Sequence, residues 1–557
     1  MPSRPARVAM LEQFRADGVR YMFGNPGTVE QGFLDELRGF PDLEYVLTLH
    51  ESVAVGIADG HARATRRPAL IQLHSGVGLG NGIGMLYQAM RGHAPLVVVV
   101  GEAGLAYEAM EAQMAADLVG MARPVTKWAT RVVDPNSTLR TLRRAFKVAA
   151  TAPAGPVLVV VPADVMDGLT SEEAVPTSYL DTTATPAAPT VGRAAELLAG
   201  AQNPLIIAGD GVHAGGAQEE LGRLAELWGA PVWGADWAEV NLPVDHPCYG
   251  GQLGHMFGAS SSAVTSAADA VLIVGTYVFP EVFPALDGVF APGTPVVHID
   301  LDPGAIAKNF PVDLGILAAP KPALAQLAQA LRIRMSPQAQ HQATERVRAN
   351  AARKNERLAA ERLRDRRRAE ALPMPASVLA EELARALPDD AVLFDEALTS
   401  SPDIFRHLRP NVPGHWFQTR GGSLGVGIPG AIGAKLAHPE RTVVGFTGDG
   451  GSMYTVQALW TAARHGIGAK FVICDNGAYE LLKDNIEQYW REQEIDPHAF
   501  PDLFDLTPQI GFTELSRSLG VPALKVEKPS EVPAAVTAML ADDGPFLLHL
   551  VTGRSDG

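Results

Sequence analysis

Two short segments in the last quarter of the chain combine residue types that suit a diphosphate bound with a divalent cation. The strand-like run TVVGF leads into the turn Thr447-Gly448-Asp449-Gly450-Gly451-Ser452, and the run FVIC leads into Asp475-Asn476-Gly477-Ala478-Tyr479. A strand, a helix and a second strand in this order predict one right-handed βαβ unit, with both loops at the carboxyl edge of one sheet. Glycines there let the backbone approach an anion, and a helix N-terminus offers free N–H groups.

Asp449 and Asn476 are candidate ligands of Mg²⁺ in these loops. Both carry side-chain oxygens, and the backbone carbonyl of Ala478 would be a third ligand. Mg²⁺ needs few protein ligands, because phosphate oxygens and water complete its octahedron. Gly-Asp-Gly by itself is equally a simple turn, and it is the paired second loop that favours the metal site.

Glu51 and His74 are candidate acid–base residues in the first third of the chain. Glu51 follows the strand-like run EYVLTLH and precedes a helical pattern, and His74 ends the run PALIQLH. A glutamate at a helix start is commonly a capping residue, and a histidine at a strand end is commonly structural. A histidine also exchanges protons near neutral pH, so both alternatives stay open on residue type alone.

Motifs around these residues resemble the pyruvate decarboxylase and acetolactate synthase superfamily, which uses thiamine diphosphate and Mg²⁺. The resemblance is carried by Gly448-Asp449-Gly450 with the later Asn476, by HESVAVGIADGHARAT around Glu51, and by QTRGGSLG. It implies that Glu51 activates the cofactor, that Leu424 wedges between the two cofactor rings, and that the Gly422 carbonyl accepts from the aminopyrimidine. The cofactor-binding residues it implies are Gly27, Glu51, Gly422, Leu424, Gly448, Asp449, Gly450, Gly451, Ser452, Asn476, Ala478 and Tyr479. The usual Asn-Asn pair is Asp475-Asn476 in this chain.

LHSGVGLGN and FGNPGT resemble the benzoylformate decarboxylase branch of that family more specifically. The resemblance implies that His74 faces the substrate and that Thr28 contacts it. That branch also uses a histidine from the middle domain, but the corresponding segment 275–283 contains none, so we do not expect its aromatic 2-keto acid mechanism. Leu481 and Asn485 fall where relatives line the substrate pocket, and this mixed polarity predicts a smaller or more polar acyl group.

Alternation of short β-branched runs with helical patterns predicts an α/β protein. The glycine-rich run GVGLGNGIG after His74-Ser75 is expected to lead into a helix. The predicted strands include Tyr21–Gly24, Tyr45–Leu49, Ala69–His74, Pro204–Ala208 and Ala270–Val274. Three consecutive doubly wound parallel-sheet domains are expected: a pyrimidine-binding domain (1–170), a middle domain (190–335) and, after a helical linker (336–373), a diphosphate-binding domain (374–557). No repeat of 20 to 50 residues is visible, so a solenoid is not expected. Gly209-Asp210-Gly211 in the middle domain is weak evidence for a dinucleotide, so FAD stays open as an alternative but is not an expected cofactor.

Composition restricts the class of partner. The chain has 557 residues and a formal net charge of −16, which disfavours nucleic acid or an anionic membrane as a partner. No apolar run approaches the roughly 18 residues that span a bilayer, and residues 1–9 lack the apolar core of a secretory signal, so we expect a cytoplasmic protein. The two cysteines, Cys248 and Cys474, indicate neither a disulfide framework nor a metal site.

The expected activity is a thiamine diphosphate-dependent 2-keto acid decarboxylase and/or carboligase that acts through a cofactor-bound carbanion on a 2-keto acid or aldehyde. An acetolactate synthase-like carboligase is one alternative, and a catalytically silent cofactor-binding scaffold is another. In the family that the motifs resemble, the active site lies between the first domain of one subunit and the third of another. A homodimer or homotetramer is therefore expected.

Overall fold

The structure is a computed structural model that describes residues 3–553 except 236, 255, 257, 278, 280 and 286. The chain divides into two compact units. The first comprises Met1–Leu180, Glu370–Ile404 and Thr419–Gly557, and the second comprises Asp181–Ala369 and Phe405–Gln418. No helix among the described residues has the length and apolar character needed to cross a membrane.

The N-terminal domain is built on a six-stranded sheet in the order β3-β2-β4-β5-β7-β6, in which all neighbouring strands run parallel. A separate antiparallel pair joins β1 to β8. The strands of the N-terminal domain are β1 Arg4–Pro5, β2 Tyr21–Gly24, β3 Glu44–Leu47, β4 Ala69–His74, β5 Leu96–Glu102, β6 Trp128–Arg131, β7 Val157–Pro162 and β8 Leu169–Thr170. Its helices are α1 Ala6–Ala16, α2 Gln31–Glu36, α3 Glu51–Thr65, α4 Ser75–Arg91, α5 Leu118–Ala122, α6 Thr138–Ala150 and α7 Ala163–Asp167.

The middle domain holds a second parallel sheet in the order β11-β10-β9-β12-β13-β14. Its strands are β9 Pro204–Ala208, β10 Val232–Gly234, β11 Tyr249–Gln252, β12 Ala270–Val274, β13 Val296–Asp300 and β14 Leu314–Leu317. Its helices are α8 Ala188–Leu198, α9 Gly211–Ala214, α10 Gln218–Trp228, α11 Ala259–Thr265, α12 Pro320–Arg334 and α13 Pro337–Arg368. Asp210, in the Gly-Asp-Gly turn, accepts hydrogen bonds from the Ala238 N–H and the Asn241 side chain. Val278 and Pro280, in the segment that lacks the expected histidine, lie outside the described residues.

The C-terminal domain carries the third six-stranded sheet, in the order β16-β15-β17-β18-β20-β19. Its strands are β15 Val392–Glu396, β16 Trp416–Gln418, β17 Val443–Gly448, β18 Lys470–Asp475, β19 Ala523–Val526 and β20 Phe546–Val551. Its helices are α14 Ala376–Ala386, α15 Ser401–Leu408, α16 Gly427–Ala437, α17 Asp449–Ser452, α18 Ala458–His465, α19 Glu480–Glu492, α20 Phe512–Ser518 and α21 Val532–Met539. The predicted α/β class with three parallel sheets is confirmed.

The central strands form because their side chains are apolar on both faces. Every residue of β5, β7, β12 and β18 is buried, as expected for parallel strands covered by helices on both sides. Two glycines allow the helices α3 and α16 to cross closely within the first unit. A Cβ on Gly60 would lie 2.1 Å from the Gly430 carbonyl oxygen, and one on Gly433 would lie 2.0 Å from that of Ile57.

Two local predictions around the candidate site are corrected by the structure. The strand predicted as Tyr45–Leu49 ends at Leu47, and the hydroxyl of Thr48, which follows it, lies 3.1 Å from the carbonyl oxygens of both Gly24 and His50. The run GVGLGNGIG does not precede a helix as predicted but is itself helical, because α4 begins at Ser75.

Candidate active site

The two loops predicted to bind a diphosphate meet at the carboxyl edge of the C-terminal sheet. Strands β17 and β18 are parallel neighbours in which Gly448 pairs with Cys474, so the loops that follow them start side by side. The Gly477 N–H donates to Oδ2 of Asp449 across 2.8 Å. This hydrogen bond is possible because Gly477 has a φ of +69°, a left-handed conformation that glycine adopts without strain.

Asp449 and Asp475 present two carboxylates to this junction. Oδ1 of Asp475 lies 3.0 Å from the same Gly477 N–H that donates to Asp449. Burial raises the pKa of Asp449, which is 5% exposed, and the neighbouring Asp475 raises it further. Burial also opposes ionisation of Asp475, but hydrogen bonds, above all from His549, hold its pKa below the usual range. Two adjacent carboxylates at one loop junction are an arrangement that a divalent cation would stabilise.

Asn476 and Ala478 lie on the second loop, next to this acidic pair. Oδ1 of Asn476 accepts from the Ala478 N–H at 3.1 Å, and Nδ2 of Asn476 lies 3.5 Å from the Thr399 hydroxyl. The side-chain oxygen of Asn476 is therefore fixed by its own loop. Oxygen donors from Asp449 and Asn476 match the hard-cation preference of Mg²⁺, and the ligand set remains a prediction.

The three glycines of the first loop have different surroundings, which explain in different ways why a side chain is absent at each. A Cβ on Gly450 would lie 2.4 Å from Cε1 of Tyr479, so the tyrosine ring lies directly over this backbone. A Cβ on Gly451 would lie 3.2 Å from the Thr447 hydroxyl, and Ser452 donates to the Asp449 carbonyl at 2.7 Å. Gly448 by contrast faces open space, since a Cβ there would have no atom of the described residues within 4 Å. This open position beside Asp449 fits the approach of a diphosphate to the backbone.

Glu396, at the end of β15, is a residue that sequence reasoning missed. Its carboxylate is 1% exposed and accepts from the N–H groups of Gly425 and Gly427 at 2.6 and 2.7 Å. Burial raises its pKa to about 7, although these hydrogen bonds oppose the shift. Glu396 therefore holds the turn that carries Gly422 and Leu424. The only sequence signal was an acidic residue at the carboxyl end of a buried strand.

Glu51 is the first residue of α3 and is 8% exposed. The N-cap of this helix is His50, whose ring accepts from the Ser52 N–H at 3.2 Å. Oε2 of Glu51 instead accepts from Nδ2 of Asn81 at 2.9 Å. A Cβ on Gly78 would lie 3.0 Å from Oε1 of Glu51, so the glycine-rich start of α4 makes room for this carboxylate.

His74 ends β4 and pairs with the buried Glu30, a second residue that sequence reasoning missed. Nδ1 of His74 lies 3.0 Å from Oε2 of Glu30. Burial raises the pKa of Glu30, and the adjacent imidazole opposes that shift. The backbone at Gly27 passes directly over the ring, because a Cβ there would lie 1.9 Å from Cγ of His74. Thr28 follows in an exposed position at the start of a short 3₁₀ helix, Thr28–Glu30.

The predicted site residues thus form two groups within the first unit. The N-terminal group comprises Gly27, Thr28, Glu51 and His74, and the C-terminal group surrounds Asp449. Among the described residues no hydrogen bond or ion pair links Glu51 or His74 to Asp449 or Asn476. Leu481 and Asn485 lie four residues apart on α19, both half-buried, so they share one face of that helix.

Three protein-family profiles match the chain in sequence order. The thiamine pyrophosphate enzyme N-terminal TPP binding domain matches residues 6–121, the central domain matches residues 191–327, and the C-terminal TPP binding domain matches residues 399–550. The first and last of these matches contain the two groups of predicted site residues.

Individual proteins resemble the chain over nearly its full length. A benzoylformate decarboxylase of Pseudomonas aeruginosa is 30% identical over 98% of each chain. A probable acetolactate synthase large subunit of Methanocaldococcus jannaschii is 29% identical over 98% of this chain and 91% of its own length. Among solved structures, the thiamine diphosphate-dependent 4-hydroxybenzoylformate decarboxylase of Rhodococcus jostii RHA1 superimposes with a TM-score of 0.84 at 27% identity and covers both chains completely.

Proposed function

Because the chain belongs to the thiamine pyrophosphate enzyme family, we propose that it is a Mg²⁺-assisted 2-keto acid decarboxylase. Thiamine diphosphate, when bound, supplies the electron sink for cleavage of a bond next to a carbonyl. The TPP-binding domains imply this cofactor, while Mg²⁺, the substrate class and the roles of individual residues are part of the proposal.

The C-terminal loops would hold the diphosphate and its cation. Asp449 and Asn476 would bind Mg²⁺ through side-chain oxygens, and Ala478 through its carbonyl. Gly448 would leave space for the phosphates, and Tyr479 supports the turn by lying over Gly450. The buried acceptors of this loop, together with the open position at Gly448, are the observations that support this fit.

Glu51 would hold the pyrimidine ring through its carboxylate. Asn81 donates to one oxygen of that carboxylate, which fixes its orientation and leaves the other oxygen, beside Gly78, for the cofactor. Leu424 and the Gly422 carbonyl would contact the cofactor. Glu396 stabilises the turn that carries them by accepting hydrogen bonds from the N–H groups of Gly425 and Gly427.

The pairing of His74 with Glu30 is the observation that most favours decarboxylation to an aldehyde. That reaction requires a proton to be delivered to the acyl carbon, whereas ligation to a second carbonyl does not require it at that step. With Nδ1–H donating to Glu30, Nε2 of His74 is the nitrogen left to exchange a proton. Thr28, exposed beside the Gly27 backbone that covers the ring, would bind the substrate carboxylate through its hydroxyl.

The face of α19 that carries Leu481 and Asn485 supports a small or polar acyl group. Glu480 begins this helix as a buried acid, and Lys483, one turn later, donates to Asp505 at 2.7 Å. A pocket for a bulky aromatic group would be expected to present mainly apolar side chains.

We also propose that the active site is shared between subunits of a homodimer or homotetramer, which is the arrangement that the resemblance to the family implies. In this arrangement Glu51 of one subunit would meet the Asp449 loop of another. Exposed apolar side chains lie near both groups: Leu49 and Val77 on the N-terminal domain, and Met453, Tyr454 and Leu482 on the C-terminal domain. Their burial would stabilise such an interface.

A screen of 2-keto acids with thiamine diphosphate and Mg²⁺, with and without an acceptor aldehyde, tests this proposal. Release of CO₂ and formation of the corresponding aldehyde, detected by mass spectrometry, is the expected outcome for at least one short or polar 2-keto acid. Formation of a 2-hydroxy ketone as the main product would instead identify a carboligase, as in the acetolactate synthase relatives. Absence of turnover with every donor would contradict both activities and favour a cofactor-binding scaffold.

A further inference from the structure

Asp475 occupies the position before the predicted ligand Asn476, where the motif described above usually has asparagine. An asparagine side chain both donates and accepts hydrogen bonds, but an ionised aspartate only accepts. Asp475 is buried at the end of β18. Aspartate in place of asparagine therefore removes a hydrogen-bond donor from a buried position next to the metal loop. The Asp475 carboxylate then needs a donor from elsewhere in the fold.

His549 supplies that donor from the adjacent strand. Its Nε2 lies 2.7 Å from Oδ2 of Asp475, and β20 is the parallel neighbour of β18. The imidazole is 3% exposed and packs edge-on against Phe512, with ring centroids 5.2 Å apart. Its other ring nitrogen, Nδ1, has no hydrogen-bond partner in the described part of the chain. The hydrogen bond to Asp475 is thus the polar contact of this buried ring among the described residues.

The opposite oxygen of Asp475 connects the pair to the metal loop. Oδ1 of Asp475 and Oδ2 of Asp449 accept from one N–H, that of Gly477, at 3.0 and 2.8 Å. Without the donor from His549, Oδ2 of Asp475 would be a buried acceptor with no hydrogen bond. The Asp475 carboxylate would then be free to rotate and to compete with Asp449 for the Gly477 N–H.

We propose that His549 is a positioning residue of the metal loop, which fixes Asp475 so that Asp449 and Asn476 keep the orientation that binds Mg²⁺. His549 touches neither cation nor substrate in this role. The inference rests on the proposed function, because it presupposes a cation at Asp449.

A double-mutant cycle on the full-length protein tests the inference. The apparent affinity for thiamine diphosphate is measured by tryptophan fluorescence over a Mg²⁺ titration in wild type, His549→Leu, Asp475→Asn and the combined variant. In His549→Leu the apparent affinity for Mg²⁺ is expected to fall by roughly 10- to 100-fold, the usual effect of losing a residue that orients a metal ligand. In the Asp475→Asn background the same change is expected to cost less than about threefold, because the amide supplies its own donors.

His549→Gln is the conservative control. Its side-chain amide can donate to Asp475, so binding within about tenfold of wild type is expected. An equal loss from His549→Leu in both backgrounds, or no loss in either, would overturn the inference. His549→Leu alone could fail to fold, which the thermal midpoint without cofactor would reveal. In that case the combined variant Asp475→Asn/His549→Leu tests the inference, because it is expected to fold and to bind thiamine diphosphate in a Mg²⁺-dependent way. A combined variant that does neither would contradict the inference. A wild type that binds thiamine diphosphate with no Mg²⁺ dependence would refute the proposed metal site itself, and the inference with it.

Discussion

Nδ1 of His74 lies 3.0 Å from Oε2 of the buried Glu30, and the backbone of Gly27 packs against the His74 ring. The pair fixes which ring nitrogen faces the side chain of Glu30 and which is left to exchange a proton.

Replacing Glu30 with glutamine is expected to lower kcat for aldehyde formation by roughly 10²-fold. The amide keeps the size of the side chain but is a weaker acceptor from Nδ1–H, so His74 loses the partner that orients its ring, and the Glu30 carboxyl, whose pKa burial raises, no longer titrates. The pH dependence of kcat should shift together with the rate. Steady-state kinetics from pH 5 to 9 measures both.

Asp35→Asn is the matched control for that substitution. Asp35 lies shortly after Glu30 but is exposed, and it pairs with Arg38 at the surface. Its loss should leave the pH profile unchanged. A Glu30→Gln enzyme with wild-type kcat and wild-type pH profile would show that the pair has no part in proton transfer.

Gly448→Ala is expected to weaken thiamine diphosphate binding by at least roughly tenfold, or about 1.4 kcal/mol. The added methyl group would occupy the open position beside Asp449 without meeting any protein atom, so the thermal midpoint without cofactor should not change. Gly39→Ala, which also adds a methyl group into open space, should change neither property. Isothermal titration and thermal denaturation compare the two, and equal affinities would place the diphosphate elsewhere.

Glu396→Gln tests the buried carboxyl under the turn that carries Leu424. Because burial raises the pKa of Glu396 to about 7, the folded protein binds an extra proton between the ordinary carboxyl value and pH 7. The stability that this group contributes is therefore fully present at low pH and is lost as the pH rises toward 7. The difference in unfolding free energy between wild type and variant should fall by up to about 3 kcal/mol over that range.

Urea denaturation of the cofactor-free protein at several pH values measures this difference. Glu381→Gln, an exposed position on α14 that pairs with Arg385, is the control and should show no such slope. A constant offset between wild type and Glu396→Gln at all pH values would mean that Glu396 does not titrate in this range.

The sequence was sufficient for the parts of the fold with strong local patterns. Short runs rich in apolar residues predicted β2, β4, β9 and β12 with the bounds that the structure has. The short strands β6, β10, β14, β16 and β19 were not predicted. They have three or four residues, and β6 is only half-buried, so neither alternation nor an apolar run distinguishes them from loops.

The site was predictable only where a residue type and a strand end coincide. Glu51, His74, Asp449 and Asn476 all lie at or shortly after the end of a strand and could be named from the sequence. Their partners could not, because Asn81, Glu30 and His549 come from other elements and are selected by distances that arise only on folding. The second carboxylate, Asp475, was visible as a departure from the motif, but its match with His549 depends on the register between β18 and β20.

The central claim is that Glu51 activates thiamine diphosphate held by the C-terminal loops, and hydrogen–deuterium exchange at C2 of the bound cofactor tests it most directly. Wild type and Glu51→Gln are loaded with thiamine diphosphate and Mg²⁺, transferred to D₂O, quenched in acid and read by NMR. Glu51→Gln is expected to bind the cofactor but to exchange at least roughly 10²-fold more slowly than wild type. Exchange by a fully loaded Glu51→Gln enzyme at the wild-type rate would contradict the account.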